Sequence, residues 1–248
     1  MRCGCYRQSR VSSVVAAATI SVGRHTGVWN DNVDRFGVLT HFAADRMVAA
    51  GLPPEKVAVL PNVVEDTGVR TTLPSRSDTI LYVGRLTQNK GVSTLVRAWR
   101  RRPPTDLRLR IIGAGPARDQ LSAMNAPGVE LIGWVDKQRV RQEMRAARAL
   151  VFPSEWYEGL PTTVLEAFSC GLPVPGSKIG SLAETVGKLG NDWLIQPGDH
   201  KIWGDAFTRL LADGFVDDGA RQARHRYEAA CTPEAGVKRL ERFYRSVM

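Results

Sequence analysis

Thr79-Ile80-Leu81-Tyr82-Val83, followed by Gly84-Arg85-Leu86-Thr87-Gln88-Asn89-Lys90-Gly91 and the amphipathic run from Val92 to Arg102, is the stretch on which the fold is decided. The first five residues are almost continuously apolar and too short for a helix, which is the signature of a strand covered on both faces. A glycine then opens a polar loop, and a helical period takes over. The same alternation continues toward the carboxyl terminus. Strands are expected at residues 109–112, 129–132, 150–152, 173–174 and 193–195, with helices at 116–124, 137–147, 162–170 and 182–186. Alternating strands and helices imply a parallel sheet joined by right-handed crossovers, an α/β doubly wound, Rossmann-like domain. Its ligand belongs off the carboxyl ends of the strands, so function is sought in the loops that follow them.

Upstream of this unit, residues 35–40 read as a strand and a helix runs on to Ala50. Gly51 stops that helix, with Pro53 and Pro54 beyond it. Residues 57–60 form a further strand, and residues 63–77 lose periodicity and gain Gly, Pro, Thr and Ser, as a linker does. At the amino terminus, Arg2, Arg7 and Arg10 precede an apolar run at residues 11–22 with the outline of a secretory leader. Cys3-Gly4-Cys5-Tyr6 makes a poor leader and no A-x-A cleavage site follows, so an amphipathic or buried helix is expected instead. Standing alone, that helix would expose an apolar face.

The 248 residues carry a formal net charge of +9, with 43% hydrophobic and 24% charged residues, a globular composition that excludes a disordered chain. Cys3, Cys5, Cys170 and Cys231 are too few and too scattered for a disulfide scaffold or a four-ligand zinc site. No stretch approaches the roughly 18 apolar residues of a membrane span. The basic balance points to anionic partners without choosing among nucleic acid, anionic lipid and phosphorylated ligands. Arg100-Arg101-Arg102 ends a helix, where cations complement the dipole, and Arg139, Arg141, Arg145 and Arg148 read as a solvated helical face.

Four loops carry possible chemistry. In the first, Gly84 permits a tight turn while Arg85 and Lys90 place two cations at a helix amino terminus. They suit a diphosphate, and equally a pair of surface cations in an ordinary loop. The second, Gly113-Ala114-Gly115-Pro116, is a weak signal, because Arg118 stands where the longer dinucleotide fingerprint needs its last glycine. The third, Gly133-Trp134-Val135, offers a ring and a backbone to a nucleobase, or simply a packed tryptophan. The fourth is the most informative. Glu158 precedes the turn Gly159-Leu160-Pro161-Thr162-Thr163, and Glu166 lies eight residues on, four beyond Thr162 on the same helical face. Two carboxylates flanking an amide-rich turn can hold hydroxyls of two different sugars.

These segments, together with Phe152-Pro153-Ser154, Gly171-Leu172-Pro173-Val174, Gly180-Ser181-Leu182-Ala183-Glu184 and Gln196-Pro197-Gly198-Asp199, occur in an order that resembles the nucleotide-sugar-binding half of a retaining GT-B glycosyltransferase of the family-4 group (glycosyl transferases group 1). The resemblance runs from about Thr79 to the carboxyl terminus. It implies transfer of a sugar from a nucleoside diphosphate sugar to a glycan or lipid-linked acceptor with retention, in polysaccharide or glycolipid biosynthesis, with no cofactor and no divalent metal. By position, Arg85 and Lys90 match the cations on the donor diphosphate, Glu166 the acid that holds the ribose, and Glu158 the acid beside the transferred sugar. Gly84, Gly113, Gly159, Leu160, Pro161 and Thr162 supply donor contacts, and Trp134 and Val135 flank the base. Arg85, Lys90 and Glu158 form the catalytic set.

The resemblance also implies an organisation. Residues 1–62 are the remnant of an acceptor domain, including a late helix at residues 5–10, and residues 63–77 are the interdomain linker. Residues 78–231 form the nucleotide-sugar-binding domain, and residues 232–248 a crossing helix. On this reading the chain is amino-terminally truncated, lacking most of the acceptor domain and its catalytic-region histidine; His25 and His41 take structural or surface roles. A cytoplasmic place is implied, with peripheral contact at the inner face of the membrane. Pro175-Gly176-Ser177 departs from the family pattern, as does Lys188-Leu189-Gly190-Asn191-Asp192. Pro175 cannot donate to a sheet ladder, so the fifth strand must be short there. The competing class is a nucleotide-sugar-binding module without transfer. A nucleic-acid binder lacks any matching motif, and the base, sugar and acceptor are not legible.

Overall fold

The structure, a computed structural model, describes residues 9–248. Cys3, Cys5 and most of the late helix expected at residues 5–10 lie outside the described residues. The first helices are α1 (Arg10–His25) and α2 (Val28–Asn32). β1 (Phe36–Val38) then leads through α3 (His41–Ala49) to β2 (Val57–Val59), which pairs with it in parallel. Thr40 caps α3, its hydroxyl accepting from the Ala43 amide at 3.2 Å. Gly51, at φ +102°, takes the left-handed turn expected after the helix. α1 is indeed amphipathic, and Val11, Val14, Val15, Ile20 and Val22 are exposed on it. Among the described residues, no helix is long and apolar enough to cross a membrane.

The main sheet starts with β3 (Thr79–Val83) and α4 (Val92–Arg101), then β4 (Arg108–Ile112), α5 (Arg118–Ala123), β5 (Val129–Gly133), α6 (Lys137–Ala146) and β6 (Ala149–Leu150). After α7 (Thr162–Ser169) come β7 (Gly176–Ser177), α8 (Gly180–Val186) and β8 (Leu194–Ile195). The first four strands pair in parallel in the order β5-β4-β3-β6, and β7 pairs in parallel with β8. A parallel bridge from Phe152 to Gly176 joins the two sets. Counted from β3, the strand order is therefore 3-2-1-4-5-6, the doubly wound arrangement whose direction reverses between β3 and β6. Ile80, Leu81, Leu109 and Ile111 are wholly buried, as strands covered on both faces require.

Several expectations need correction. The fifth strand lies at Gly176–Ser177 and not at residues 173–174. Pro173 and Pro175 still run alongside β6, but only as acceptors, from Leu150 N and Phe152 N at 3.0 Å each, because neither proline has an N–H. Trp193 belongs to a tight turn before β8 and is buried flat against Phe215, 4.3 Å between centroids. The carboxyl-terminal part also holds two helices that the pattern did not announce, α9 (His200–Arg209) and α10 (Asp213–Ala230), before α11 (Pro233–Arg245). α9 lies on α4, where Phe207 meets Trp99 edge-on at 4.9 Å, and α10 lies on α7.

The arginine face is the largest correction. Arg148 lies beyond α6 and is only 4% exposed. It donates to the carbonyls of Ser75, Ser77, Leu210 and Leu211 and to Asp213. Arg145 donates to the carbonyl of Thr67, and Arg141 pairs with Glu65 at 3.1 Å. Arg224 adds a two-pronged pair to Asp66, at 2.9 and 2.7 Å, and Arg70 donates to the carbonyl of Ala147. The aperiodic stretch 63–77 is thus strapped to the main sheet by guanidinium groups. Arg139, paired with Glu143 one turn along α6, and Arg145 stay exposed as expected, although Arg145 also ties Thr67.

Candidate functional site

The crevice at the reversal between β3 and β6 is where every loop of interest converges. The loop after β3 turns on Gly84, over which the Tyr82 hydroxyl reaches to donate to the carbonyl of Arg85 at 3.0 Å. Burial, and then the carboxylate of Glu158, push the Tyr82 phenol above its ordinary value, so it stays a neutral donor. A tight turn at residues 88–90 ends on Gly91, at φ +69°, which opens α4. A Cβ at Gly91 would stand 1.9 Å from the carbonyl oxygen of Pro153, so glycine is required where the β3 and β6 loops cross.

That crossing brings Lys90 onto Glu158. The ammonium donates to both carboxylate oxygens, at 2.7 and 2.8 Å, and the buried Ser154 hydroxyl donates to the same carboxylate at 2.6 Å. Both charged side chains are largely withdrawn from solvent. Asn89 braces the crossing by accepting from the Glu155 amide at 2.9 Å, and Thr94 donates to the Glu155 carboxylate at 2.6 Å. Lys90, Glu158, Gly84 and Arg85 line one cavity of about 500 Å³, with Tyr82, Pro153, Pro161, Thr162 and Thr163. α7 begins on the same cavity, since its first residues, Thr162 and Thr163, line it beside Arg85 and Lys90.

Two smaller cavities flank it. One, of about 320 Å³, is lined by Gly84, Arg85, Gly113, Ala114, Trp134, Val135 and Val140. Trp134 is 76% exposed there, an unpacked ring at a strand end. The glycines of the second loop serve close packing. Cβ atoms at Gly113 and Gly115 would meet the carbonyl oxygens of Gly84 and Leu86 at 1.9 and 2.3 Å. The other cavity, of about 350 Å³, is lined by Thr162 and Glu166 with Lys137, Arg141 and residues 63–65. Glu166 does not share the cavity of Glu158; Thr162 is the residue common to both. Lys137 stands 3.9 Å from Glu166.

The sequence-derived residues thus form a continuous rim, apart from Gly159 and Leu160. Leu160 is buried in the core, and Gly159 packs against Leu39. Ser154, Asn62 and Lys137 are the site residues that sequence reasoning missed. Ser154 lay inside a quoted motif, but its aim at Glu158 depends on the loop crossing. Asn62, whose amide donates to the carbonyl of Leu160 at 3.0 Å, had no local signal. His41 takes the surface role expected of it, exposed and 2.9 Å from Glu184; the side chain of His25 is outside what is described. Cys170 and Cys231 are free and buried, and among the described residues no three His, Cys, Asp or Glu side chains cluster as metal ligands.

Comparison with known proteins gives this rim a family. Residues 77–213, more than half of the chain, match the family described as glycosyl transferases group 1. The 2-deoxystreptamine N-acetyl-D-glucosaminyltransferase of Streptomyces fradiae is 31% identical over 81% of this chain and 51% of its own. The putative teichuronic acid biosynthesis glycosyltransferase TuaC of Bacillus subtilis is 32% identical over 58% of this chain and 36% of its own. Among solved structures, the apo lipopolysaccharide outer core galactosyltransferase WaaB superposes with a TM-score of 0.75 at 25% identity, covering 87% of this chain and 62% of that one. HepE of Anabaena, solved with UDP-glucose, gives 0.76 at 17% identity over 93% of this chain and 67% of that one, a likeness of fold. The chain spans between 21% and 51% of the length of the first four curated relatives it matches. With the GT-B type doubly wound sheet, the loop crossing at its reversal point and the family match over residues 77–213, the chain belongs to the group 1 glycosyl transferases.

Proposed function

We propose that this chain binds a nucleoside diphosphate sugar in the crevice between β3 and β6 and transfers the sugar to an acceptor with retention of configuration. The observation that carries the reading is the grouping of Arg85, Lys90, Glu158 and the α7 amino terminus around one cavity. Two cations and a helix terminus are suited to a diphosphate. On this reading the flanking cavities take the two ends of the nucleoside, the base beside Trp134 and Val135 and the ribose hydroxyls on Glu166. The sugar lies against Glu158.

The chemistry then follows from charge. As the bond from the anomeric carbon to the diphosphate breaks, the electron pair leaves with phosphate oxygen. Arg85, Lys90 and the α7 amides neutralise the growing charge more strongly in the transition state than in the ground state. The Lys90–Glu158 pair adds an exchange. An arriving diphosphate competes for the Lys90 ammonium, and the carboxylate it releases is turned to the sugar hydroxyls, with Ser154 still holding one oxygen.

Titration of UDP-, GDP- and ADP-glucose by calorimetry, followed by an assay for released nucleoside diphosphate with candidate glycan and lipid-linked acceptors, tests the proposal. Binding of one donor and acceptor-dependent release with the α-linkage preserved is the expected result. Binding without release in any acceptor screen would favour a nucleotide-sugar-binding module, and absence of binding would overturn the reading.

A further inference from the structure

The loop that carries Glu158 is held from outside its own sheet. Phe42 packs on Tyr157 with ring centroids 5.2 Å apart, Leu39 lies against Gly159, and Asn62 donates to the carbonyl of Leu160. All three belong to the β1–β2 unit, and they grip the loop on both sides of Glu158. Gly180 seats the rings: at φ +51°, its Cβ would stand 2.7 Å from Tyr157 and 3.1 Å from Phe42.

The segment that bears Leu39 and Phe42 is in turn anchored by α8 of the main sheet. The Glu184 carboxylate accepts from the amides of Phe42 and His41 at 2.9 and 3.2 Å, capping α3 from across the junction, and meets His41 Nδ1 at 2.9 Å. Beside it the hydroxyls of Thr40 and Ser181, both buried, are 2.7 Å apart. Glu184 touches none of the cavity that holds Lys90 and Glu158. A carboxylate on two first-turn amides is a strong, directional tie, because it satisfies orphan donors and meets the positive end of the helix.

We propose that Glu184 is a positioning residue for the sugar end of the donor, acting through the amino terminus of α3 and the Phe42–Tyr157 contact on the loop that carries Glu158. The proposal rests on the donor reading above. It separates the two ends of the ligand. Arg85, Lys90 and Glu166 sit on loops and helices of the main sheet that the tie does not hold directly, so nucleoside and diphosphate binding depends on it less than the placement of Glu158 does.

The test compares UDP, GDP and ADP with their glucose conjugates on wild type, Glu184→Ala and Glu184→Gln. For the pair that wild type binds best, Glu184→Ala is expected to weaken the conjugate about five- to tenfold, the scale of one ordinary hydrogen bond. The free diphosphate should change less than about twofold, as for a distant site. Glu184→Gln, which keeps one acceptor oxygen, should recover part of the loss. Should Glu184→Ala fail to fold, Phe42→Leu cuts the same path one step later and is expected to show the same split. Equal losses for conjugate and diphosphate, no loss for either, or a wild type that gains nothing from the sugar would each overturn the proposal alone. A wild type that binds no nucleotide would take the donor reading with it.

Discussion

On the proposed reading Lys90 is the residue on which the chemistry turns, because its ammonium already has a carboxylate partner that a donor would have to displace. Lys90→Ala leaves Glu158 without its cation, while Arg85→Ala removes a cation that has no such internal duty. Both substitutions are expected to weaken donor binding or slow transfer by about 1.5–3 kcal/mol, the range for hydrogen bonds to charged groups. Isothermal titration and initial rates would measure it, and full activity in both variants would refute the assignment. At Gly91 the argument is steric. An alanine there must hold φ +69° and place its Cβ within 1.9 Å of a backbone oxygen. Gly91→Ala should destabilise the protein by at least about 2 kcal/mol in urea unfolding and loosen the loop crossing with it.

Among the elements, the strapped segment 63–77 is the part whose energetics differ most from its composition. Arg148 satisfies four carbonyls from two distant stretches of chain. Arg148→Met would take the donor from those oxygens, the Leu210 one in the core among them, and a loss of about 2–4 kcal/mol is expected from chemical unfolding. The acid limb of stability should report the same straps. The Arg224 guanidinium holds the Asp66 carboxyl below its usual range. Burial pushes Glu184 up, but donation from Phe42 N and from His41 outweighs it and leaves that carboxyl depressed too. A folded-state value below the unfolded one contributes stability above the unfolded pKa and loses it as pH falls through the folded value. Unfolding free energy should therefore decline below about pH 4, and Asp66→Asn should flatten that decline.

For the whole molecule, a donor bound in the crevice would be coupled to the fold, since the walls come from the loops after β3, β4 and β6. A donor at about a hundred times its Kd should add about 2.7 kcal/mol and raise the melting midpoint by roughly 5–10 °C. Arg85→Ala and Lys90→Ala at the same ligand concentration should lose most of that shift. A midpoint indifferent to every nucleotide sugar would argue that the crevice is not a binding site.

The sheet, its crossovers, the loops that carry Arg85, Lys90 and Glu158 and the helix that carries Glu166 were determined by sequence alone, because strand burial and helix period are local signals that survive without tertiary context. β3 matches its expected bounds for that reason. The fifth strand was expected at 173–174 but lies at Gly176–Ser177, since the stretch with prolines at 173 and 175 only accepts and lacks the ladder that defines a strand. The later arginines could not be placed either: a guanidinium at the end of a helical period looks solvated until a distant carbonyl arrives above it. The tertiary structure also decided which loops cross. The Lys90–Glu158 contact, the aim of Ser154 and the tie between Glu184 and α3 join residues 68, 4 and more than 140 positions apart. The first and last pass through chain packing that no local pattern encodes, and Ser154, four residues from Glu158, meets it within the loop that this packing holds.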